Sequence, residues 1–372
     1  MMRTVAHCIS PYLQTAGPWI YEQIRRAERY RPVVLTQGAI NIDHYPVATL
    51  YSAEDFPPLK KIYNRLVRRV TNRYPLYPTI LGKENALLIH AHFGYEGCRL
   101  LEATRQTRLP LLTTFYGADA TEYPNYPGWR ARYSQLFAMG ALFLAEGGAM
   151  AEKLVALGCP ATKIKVWRLG VDVERIAYAP RVAGERVRLL ICAGFKEKKG
   201  IPYALRALAT ALRQKPFEYA LTLVGDGEDR PQIEALVDEL GLRPYTVFLG
   251  MRPYAEVLAE LPRHDILLQT SVTASNGDGE GGAPVILLDA QASGMPVVAT
   301  THGDIPEYVR DGASGFLADE RDIEGLAEHI MLLALEPKRW AEIGRAGRDH
   351  VEQYYAAARQ VVELEEIYDG LI

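Results

Sequence analysis

Short apolar runs alternate with segments of helical periodicity along almost the whole chain. Twelve such runs predict strands, and they fall into two groups of six. The first group is Thr4–Ile9, Pro32–Gln37, Leu87–His92, Leu111–Phe115, Leu142–Ala145 and Lys165–Arg168. The second group is Val187–Ala193, Tyr219–Val224, Thr246–Leu249, Ile266–Leu268, Val297–Ala299 and Gly315–Ala318. Alternation of strand and helix predicts an α/β fold with two parallel sheets, each wrapped by helices.

The chain is long enough for two domains, because its 372 residues exceed what one hydrophobic core usually supports. A short segment with Pro and Gly, Tyr178–Gly184, precedes the second group of strands and predicts a linker. The two domains are then residues 1–178 and 179–354. Open parallel sheets bind ligands beyond the carboxyl ends of their strands. We therefore expect the chemistry in loops that follow strands, facing an interdomain cleft.

The net charge of −3 is the sum of two halves of opposite sign. Residues 1–180 contain 22 Lys and Arg against 14 Asp and Glu, whereas residues 181–372 contain 20 against 31. A basic first half indicates an anionic partner, either a lipid surface or an acceptor molecule, and we expect no nucleic acid. The four scattered cysteines lack the spacing of a zinc site or a disulfide framework. Because the first ten residues read as a buried strand and no long apolar run follows, we expect a cytoplasmic protein.

The most basic stretch of the chain is also amphipathic. Residues 59–73 place five apolar side chains near one helical face and six Lys and Arg residues on the remainder. The apolar ones are Ile62, Tyr63, Leu66, Val67 and Val70. This pattern fits a domain helix with a solvated basic face, and it fits equally a helix that lies peripherally on the inner face of an anionic membrane.

A glycine-dense loop, Ser275–Gly282, follows the strand Ile266–Leu268 and leads through Pro284 into a predicted helix. The exposed amides and the dipole of a helix start suit a diphosphate or sugar hydroxyls. Glu280 in the loop and Asp289 further along the helix supply carboxylates that accept hydrogen bonds, from sugar hydroxyls and from a ribose diol respectively. The alternative is an ordinary loop and cap with a solvated Asp289.

Two other turns follow strands in the second half. Lys196, Lys198 and Lys199 lie just beyond Val187–Ala193, where they can neutralise a leaving diphosphate, although a solvated turn has the same appearance. Gly225 lies in a Val-Gly-Asp-Gly turn after the next strand. The Gly-x-Gly-x-x-Gly fingerprint is absent, which counts against a nicotinamide enzyme.

Taken together, these motifs resemble the retaining glycosyltransferases of family 4, which have the GT-B fold. In the second half the resemblance is carried by Ala193–Gly200, Val224–Gly227, the Glu280 to Asp289 segment, Gly294–Thr300 and Thr301–Leu317. Consistent segments in the first half are His90–Gly94, Thr113–Asp119 and Leu169–Asp172. The Asn-Gly-Asp…Glu-Gly-Gly-Ala-Pro pattern is most similar to bacterial exopolysaccharide transferases of the colanic-acid type.

The resemblance implies two Rossmann-like domains, the first binding the acceptor and the second the nucleotide sugar, with the final helix, residues 355–372, packing back on the first. It implies transfer of a hexose with retention, in polysaccharide biosynthesis. The donor would be a UDP- or GDP-sugar and the acceptor a glycan, a lipid-linked sugar or a small molecule. No metal and no other cofactor is expected.

Residue by residue, Lys199 matches the diphosphate-binding lysine, Glu280 the acid near the donor sugar, and Asp289 the acid that holds the ribose. His92 is the candidate near the reacting carbon, with Tyr116 and Asp119 on the acceptor side. The other residues expected to bind the donor are Lys196, Gly225, Gly281, Gly282, Ala283 and Pro284.

The chain departs from the family pattern in four respects. Gly194 stands where the family has a phosphate-binding arginine, and Lys196 is the candidate replacement. Eight residues separate Glu280 from Asp289 instead of seven, and the second acid is Asp instead of Glu. Tyr116 stands where many members have His.

Other functions fit parts of the pattern. A GT-B epimerase or phosphorylase, a non-catalytic sugar-nucleotide-binding module and a nicotinamide dehydrogenase are the alternatives. Asp278 and Glu280 also resemble an acid pair that binds Mn²⁺ or Mg²⁺, but we expect them to serve the loop and the sugar.

Overall fold

A computed structural model describes residues 2–13 and 18–372 of the chain. It divides into two compact units, residues 1–170 together with 357–372, and residues 171–356. Each unit is built on one parallel sheet. Apolar residues cover both faces of the second sheet, since Leu189 and Ile191 belong to one core cluster and the intervening Leu190 to another. Parallel strands buried on both faces explain the continuous apolar runs in the sequence.

The first unit contains seven strands in the order β3-β2-β1-β4-β5-β6-β7. They are β1 Arg3–Cys8, β2 Tyr30–Thr36, β3 Leu50–Ser52, β4 Ala86–His92, β5 Leu111–Thr114, β6 Leu142–Ala145 and β7 Ile164–Val166. The helices before the second unit are α1 Pro18–Arg25, α2 Pro58–Thr71, α3 Tyr77–Lys83, α4 Gly94–Thr107, α5 Ala118–Thr121, α6 Trp129–Met139 and α7 Gly148–Ala156.

The second unit contains six strands in the order β10-β9-β8-β11-β12-β13. They are β8 Val187–Cys192, β9 Tyr219–Val224, β10 Thr246–Gly250, β11 Ile266–Gln269, β12 Val297–Thr300 and β13 Phe316–Ala318. Its helices are α8 Ile201–Gln214, α9 Arg230–Glu239, α10 Tyr254–Glu260, α11 Ile286–Ala292, α12 Ile305–Tyr308, α13 Ile323–Leu335 and α14 Trp340–Tyr354. The last helix, α15 Ala357–Asp369, belongs to the first unit.

The boundary between the units falls at residue 170, eight residues before the expected linker. Val171 and Ile176 are buried in a core cluster of the second unit, and Val171 forms a β-bridge with Ala356. The apolar side chains of this segment therefore assign it to the second core. The Pro- and Gly-containing stretch that follows lies within the second unit.

The chain ends in two helices, and the final helix expected over residues 355–372 corresponds to the second of them, α15. The break falls at Tyr355 and Ala356, between α14 and α15. Helix α15 is held by a hydrogen bond from the Trp167 indole to the Gln360 carbonyl at 2.9 Å and by a 2.8 Å contact between Tyr368 and His90. These contacts join the C-terminal residues to the first unit.

The other differences are small. Every expected strand is present with its ends shifted by at most two residues, whereas β3 was not predicted because it is a three-residue edge strand that is only partly buried. Helix α11 begins at Ile286, two residues after Pro284, which precedes the helix instead of starting it. Among residues 2–13 and 18–372, no helix has both the length and the apolar character that a membrane crossing needs.

Candidate functional site

The lysine turn and the glycine loop meet at the centre of the second sheet. The turn Ala193–Gly200 follows β8, and the loop Thr270–Val285 follows β11. These two strands are neighbours, and the chain leaves them in opposite directions across the sheet, because the other neighbour of β8 is β9. Ligands of open parallel sheets bind at such a switch point. Both segments that the sequence singled out therefore occupy this position.

Two glycines allow the turns to approach each other closely. A Cβ on Gly200, whose φ is +60°, would lie 1.8 Å from the carbonyl oxygen of Thr270. A Cβ on Gly225, whose φ is +136°, would lie 1.8 Å from the carbonyl oxygen of Ala193. Neither position accepts another residue without moving backbone. Gly225 thus supports the lysine turn from the neighbouring strand β9, which is a structural role beside any contact with a ligand.

Lys199 and Glu280 form an ion pair at this switch point. The ammonium Nζ lies 2.7 Å and 2.9 Å from the two carboxylate oxygens, and the Ser271 hydroxyl donates to the same carboxylate at 2.7 Å. Burial raises the pKa of Glu280, but the positive charges of Lys199 and Lys198 outweigh it and leave the pKa below its usual value. Glu280 is therefore an ionised, oriented carboxylate. The sequence indicated both residues but not that they pair.

A second ion pair and one hydrogen-bonded acid, Glu197, hold the loop in place. Lys198 contacts Asp278 at 3.0 Å and the Gly279 carbonyl at 3.1 Å. Glu197 accepts from the backbone amide of Ser275 at 2.8 Å and from its hydroxyl. The 3₁₀ turn Glu197–Lys199 thus supplies three consecutive side chains to the loop. The two lysines were expected to act on a diphosphate, whereas no role was predicted for Glu197.

A histidine positions Glu280 from the other side. The backbone amide of Glu280 donates to Nε2 of His302 at 2.9 Å. Nδ1 of His302 lies 2.6 Å from a carboxylate oxygen of Glu320. The carboxylate therefore favours the tautomer with the proton on Nδ1. This series of hydrogen bonds from Glu280 through His302 to Glu320 was not predicted from the sequence. The only available signal was that His302 and Glu320 follow the neighbouring strands β12 and β13.

Three buried amides of the loop have no partner. Within the described part of the chain, no hydrogen bond uses the backbone N–H groups of Gly281, Gly282 or Ala283, although all three residues are buried. A buried amide without a partner costs about 1–3 kcal/mol, so consecutive ones are unusual. They directly follow Glu280, whose carboxylate pairs with the Lys199 ammonium.

There is space around Gly194, which stands where the family pattern has a phosphate-binding arginine. Position 194 has space, because a Cβ there would be 4.0 Å from its nearest neighbour, the Asp226 carbonyl oxygen. Lys196 is exposed, and among the described residues its side chain makes no ion pair or hydrogen bond. Its cation is therefore available to a ligand.

Asp289 is buried within α11 instead of being solvated. It accepts a hydrogen bond from the Tyr254 hydroxyl at 2.8 Å, and burial raises its pKa to about 7. Asp289 and Lys199 of the lysine turn both influence the pKa of Cys192. Burial raises the pKa of the Cys192 thiol to about 12, with Asp289 raising it further and Lys199 lowering it. Asp289 and Lys199 are thus both near enough to the Cys192 thiol at the end of β8 to influence its pKa.

In the first unit, His92 is buried and contacts the partly exposed Tyr116. The buried His92 ring lies with Nδ1 2.7 Å from the Tyr116 hydroxyl and Nε2 3.0 Å from Nδ1 of His7. Burial lowers the pKa of His92 well below its usual value and raises that of Tyr116. Tyr116 is partly exposed and His92 is fully buried, so a ligand at these strand ends would contact Tyr116.

The three buried histidines His7, His90 and His92 have ring nitrogens within 4.8 Å of one another, which raises the question of a metal. The His90 nitrogens already lie 2.8 Å from the Tyr368 and Thr114 hydroxyls, and the rings of His7 and His92 are stacked. Metal ligands instead aim their lone pairs at one point about 2.0–2.1 Å away. The arrangement is that of neutral, hydrogen-bonded imidazoles. Sequence analysis missed His7, which the register with β4 places opposite His90.

Asp119, which was expected on the acceptor side, accepts hydrogen bonds from backbone amides. Its carboxylate accepts from the amides of Gly94, Tyr116 and Gly117 at 2.7–3.0 Å and is fully buried. Burial raises its pKa to about 6, and these hydrogen bonds oppose the rise. Asp119 joins the turns after β4 and β5 and so positions Tyr116.

Partly exposed aromatic rings line the same edge of the first sheet. Phe93 lies in the left-handed region with φ of +81° and stacks on Tyr95 with ring centroids 5.1 Å apart. Its centroid is 4.9 Å from that of Tyr116, and Tyr95 stacks on Tyr123 at 5.1 Å. A strained backbone that turns an aromatic ring toward the strand ends is typical of a binding site.

The chain is similar in sequence and in fold to known proteins. Residues 22–175 match the family model "Glycosyltransferase Family 4", and residues 174–350 match "Glycosyl transferases group 1". The chain is 33% identical over 280 residues to the amylovoran biosynthesis glycosyltransferase AmsK of Erwinia amylovora, covering 73% of this chain and 68% of the relative. It is 32% identical over 279 residues to WcaL of Escherichia coli, a protein named for colanic acid biosynthesis, covering 74% and 68%. The crystal structure of HepE from Anabaena in complex with UDP superposes with a TM-score of 0.77 over all of both chains, at 19% identity.

Proposed function

The chain belongs to glycosyltransferase family 4, and we propose that it transfers a hexose with retention from a nucleotide-diphosphate sugar to a glycan or lipid-linked acceptor. As a member of that family it is a glycosyltransferase with the GT-B fold. Relatives at 32–33% identity are named for exopolysaccharide biosynthesis, and we propose a similar role here.

The donor assignment rests mainly on the unpartnered amides of Gly281, Gly282 and Ala283, which directly follow the Glu280 that pairs with Lys199. Consecutive backbone donors next to a cation suit the oxygens of a diphosphate. Lys199 would exchange part of its contact with Glu280 for the phosphate, which leaves Glu280 free to accept from hydroxyls of the sugar. Lys196 supplies a further charge from the open rim of the turn.

In the proposed reaction the bond between the anomeric carbon and the diphosphate oxygen breaks, and its electron pair leaves with the diphosphate. The acceptor oxygen bonds to the same carbon and gives its proton to the departing phosphate. Lys199, Lys196 and the three amides stabilise the charge that develops on that phosphate. Metal-independence is part of the proposal, because Lys198 and Lys199 neutralise the acid pair Asp278 and Glu280.

For the acceptor we propose a sugar-bearing molecule bound at the strand ends of the first unit. Phe93, Tyr95 and Tyr116 form a partly exposed aromatic surface there, and the faces of such rings pack against apolar faces of sugars. We propose a cytoplasmic location, which the four free cysteines support. Contact with a membrane is argued separately below.

The experiment combines calorimetry with product analysis. UDP, GDP and ADP are titrated into the protein, and the corresponding sugar nucleotides are then incubated with it and a panel of glycan and lipid-linked acceptors, with and without EDTA. We expect one diphosphate to bind and its sugar to appear on an acceptor with unchanged anomeric configuration, independently of EDTA. An isomerised donor without transfer, an inverted linkage or activity abolished by EDTA would each contradict the corresponding part of the proposal.

A further inference from the structure

Helix α2 exposes its apolar face instead of burying it. Of its residues only Asn64 is buried. Five large apolar side chains are more than half exposed, with exposed fractions of 82%, 55%, 51%, 59% and 85%. In order they are Leu59, Ile62, Tyr63, Leu66 and Val70, which we call the α2 apolar face. At 100° per residue these positions fall within an arc of about 100°, which makes one continuous stripe.

The helix is attached to the first unit by its other side. The Asn64 side chain donates to Oε1 of Gln37 at 2.8 Å, and Arg68 donates to the same oxygen at 3.0 Å. These residues lie about 120–180° around the helix from the centre of the stripe. The orientation is therefore fixed by polar contacts, and the α2 apolar face points away from the body of the unit. The sequence left open a domain helix with a solvated basic face and a helix that lies on a membrane. The basic face is solvated, but the domain does not cover the apolar face.

Positive charge surrounds the α2 apolar face and is not neutralised locally. The segment 56–83 contains seven Lys and Arg residues and no Asp or Glu. Lys60, Lys61, Arg65 and Arg69 are exposed and, among the described residues, their side chains make no ion pair or hydrogen bond. A second copy of this surface would bring like charges together, which opposes pairing of the chain with itself through α2. An anionic surface with an apolar interior matches both features.

We propose that α2 docks the protein on a membrane rich in anionic phospholipid, with the α2 apolar face inserted at the boundary between headgroups and acyl chains and the flanking cations against lipid phosphates. Tyr63 lies in the stripe, where its hydroxyl remains at headgroup depth while its ring is buried. Docking would present the first unit to a membrane-anchored acceptor. The surface itself is independent of the donor site, so the proposal does not need the transfer reaction to be right.

The test is flotation of the full-length protein with vesicles of phosphatidylcholine, and with vesicles of an equal mixture of phosphatidylcholine and phosphatidylglycerol. We expect flotation with the mixed vesicles, little with the neutral ones, and loss of binding as salt is raised. Val70→Ser should lower the partition coefficient about tenfold, because one apolar side chain no longer enters the bilayer. Arg65→Ser combined with Arg69→Ser should lower it about 25-fold by loss of two charges near the anionic surface.

Matched controls come from the second unit. Val182 is 76% exposed but lies outside α2, and Arg206 is exposed on α8, so Val182→Ser and Arg206→Ser should leave flotation unchanged. Circular dichroism checks that each variant is folded. A wild-type protein that stays at the bottom of the gradient with both vesicle types would overturn the proposal, as would equal losses in Val70→Ser and Val182→Ser. A concentration-dependent dimer in sedimentation velocity that Val70→Ser abolishes, without vesicle binding, would assign the surface to self-association instead.

Discussion

Substitutions in the Lys199–Glu280 pair distinguish a role of Lys199 in stability from its proposed role in binding the phosphate. Lys199→Met keeps the length of the side chain and removes its charge. The side chains of the pair are only 19% and 7% exposed, so the carboxylate left behind is a buried charge. Removing one member of a buried pair costs about 3–5 kcal/mol, and the remaining Ser271 hydroxyl and Lys198 charge place this case near the lower end, about 3 kcal/mol.

The double variant with Lys199→Met and Glu280→Gln removes the unpaired charge. We expect it to recover most of that stability, to within about 1 kcal/mol of wild type in urea unfolding, since neutral replacement of a buried pair is often tolerated. Turnover should not recover. Both variants should stay at least about 100-fold below wild type, the usual scale for losing a group that stabilises developing charge.

The neighbouring pair provides the control for this cycle. Lys198→Met with Asp278→Asn removes charges that are similarly buried, at 13% and 10% exposure, but that hold the loop and not the proposed phosphate. We expect a comparable change in stability and less than a tenfold loss of turnover. If turnover in the Lys199 and Glu280 double variant returned together with its stability, Lys199 would be a structural residue and the phosphate assignment would be wrong.

Three further predictions concern single positions. Position 194 has space for a Cβ, so we expect the Gly194→Arg variant to bind the preferred nucleoside diphosphate about tenfold more tightly. The same substitution should restore the binding that is lost in Lys196→Ala. Unchanged affinity in calorimetry would contradict this prediction. Asp289 has its pKa raised from 3.8 to about 7, so folding favours its protonated form and its contribution to stability falls by about 1.4 kcal/mol per pH unit from about pH 4 to 7. Asp289→Asn should remove that dependence in urea unfolding, and an unchanged profile would count against burial of the acid. Burial lowers the pKa of His7 from 6.5 to about 3, so stability should fall by about 1.4 kcal/mol per unit as pH drops below about 6.5, and His7→Gln should reduce this slope. Equal slopes for His7→Gln and wild type would refute a neutral histidine.

The positions of the strands along the chain and the loops expected to carry the site could be predicted from the sequence, for physical reasons. Strands buried on both faces need continuous apolar residues, so β8 and β11 are visible as runs, and ligand loops must follow their carboxyl ends. The edge strand β3 carries no such requirement, because it is short and partly exposed. The domain boundary was placed too late because a Pro- and Gly-containing stretch marks a turn as readily as a linker.

The partners of the predicted residues could not be read from the sequence. Lys199 and Glu280 are 81 positions apart, and the pairing depends on β8 lying beside β11, which is known only from the topology. His302 was hidden for the same reason. The surroundings of Asp289 were also beyond reach, since a carboxylate on a helix looks the same in sequence whether it is solvated or buried against Tyr254.

The sequence pattern of α2 illustrates a different limit. Its apolar stripe predicted a helix correctly, but hydrophobic periodicity states only that one face avoids water. Whether that face is covered by the protein or by another surface depends on which side is attached. The hydrogen bonds of Asn64 and Arg68 to Gln37 decide this, and no periodic signal encodes them.

The central claim is that the amides of Gly281, Gly282 and Ala283, with Lys199, form the diphosphate site. A crystal structure of the protein soaked with the nucleoside diphosphate that binds in calorimetry tests it most directly. The account predicts phosphate oxygens within hydrogen-bonding distance of these amides and of the Lys199 ammonium. A well-ordered diphosphate bound elsewhere on the protein, with the three amides still lacking a partner, would contradict it.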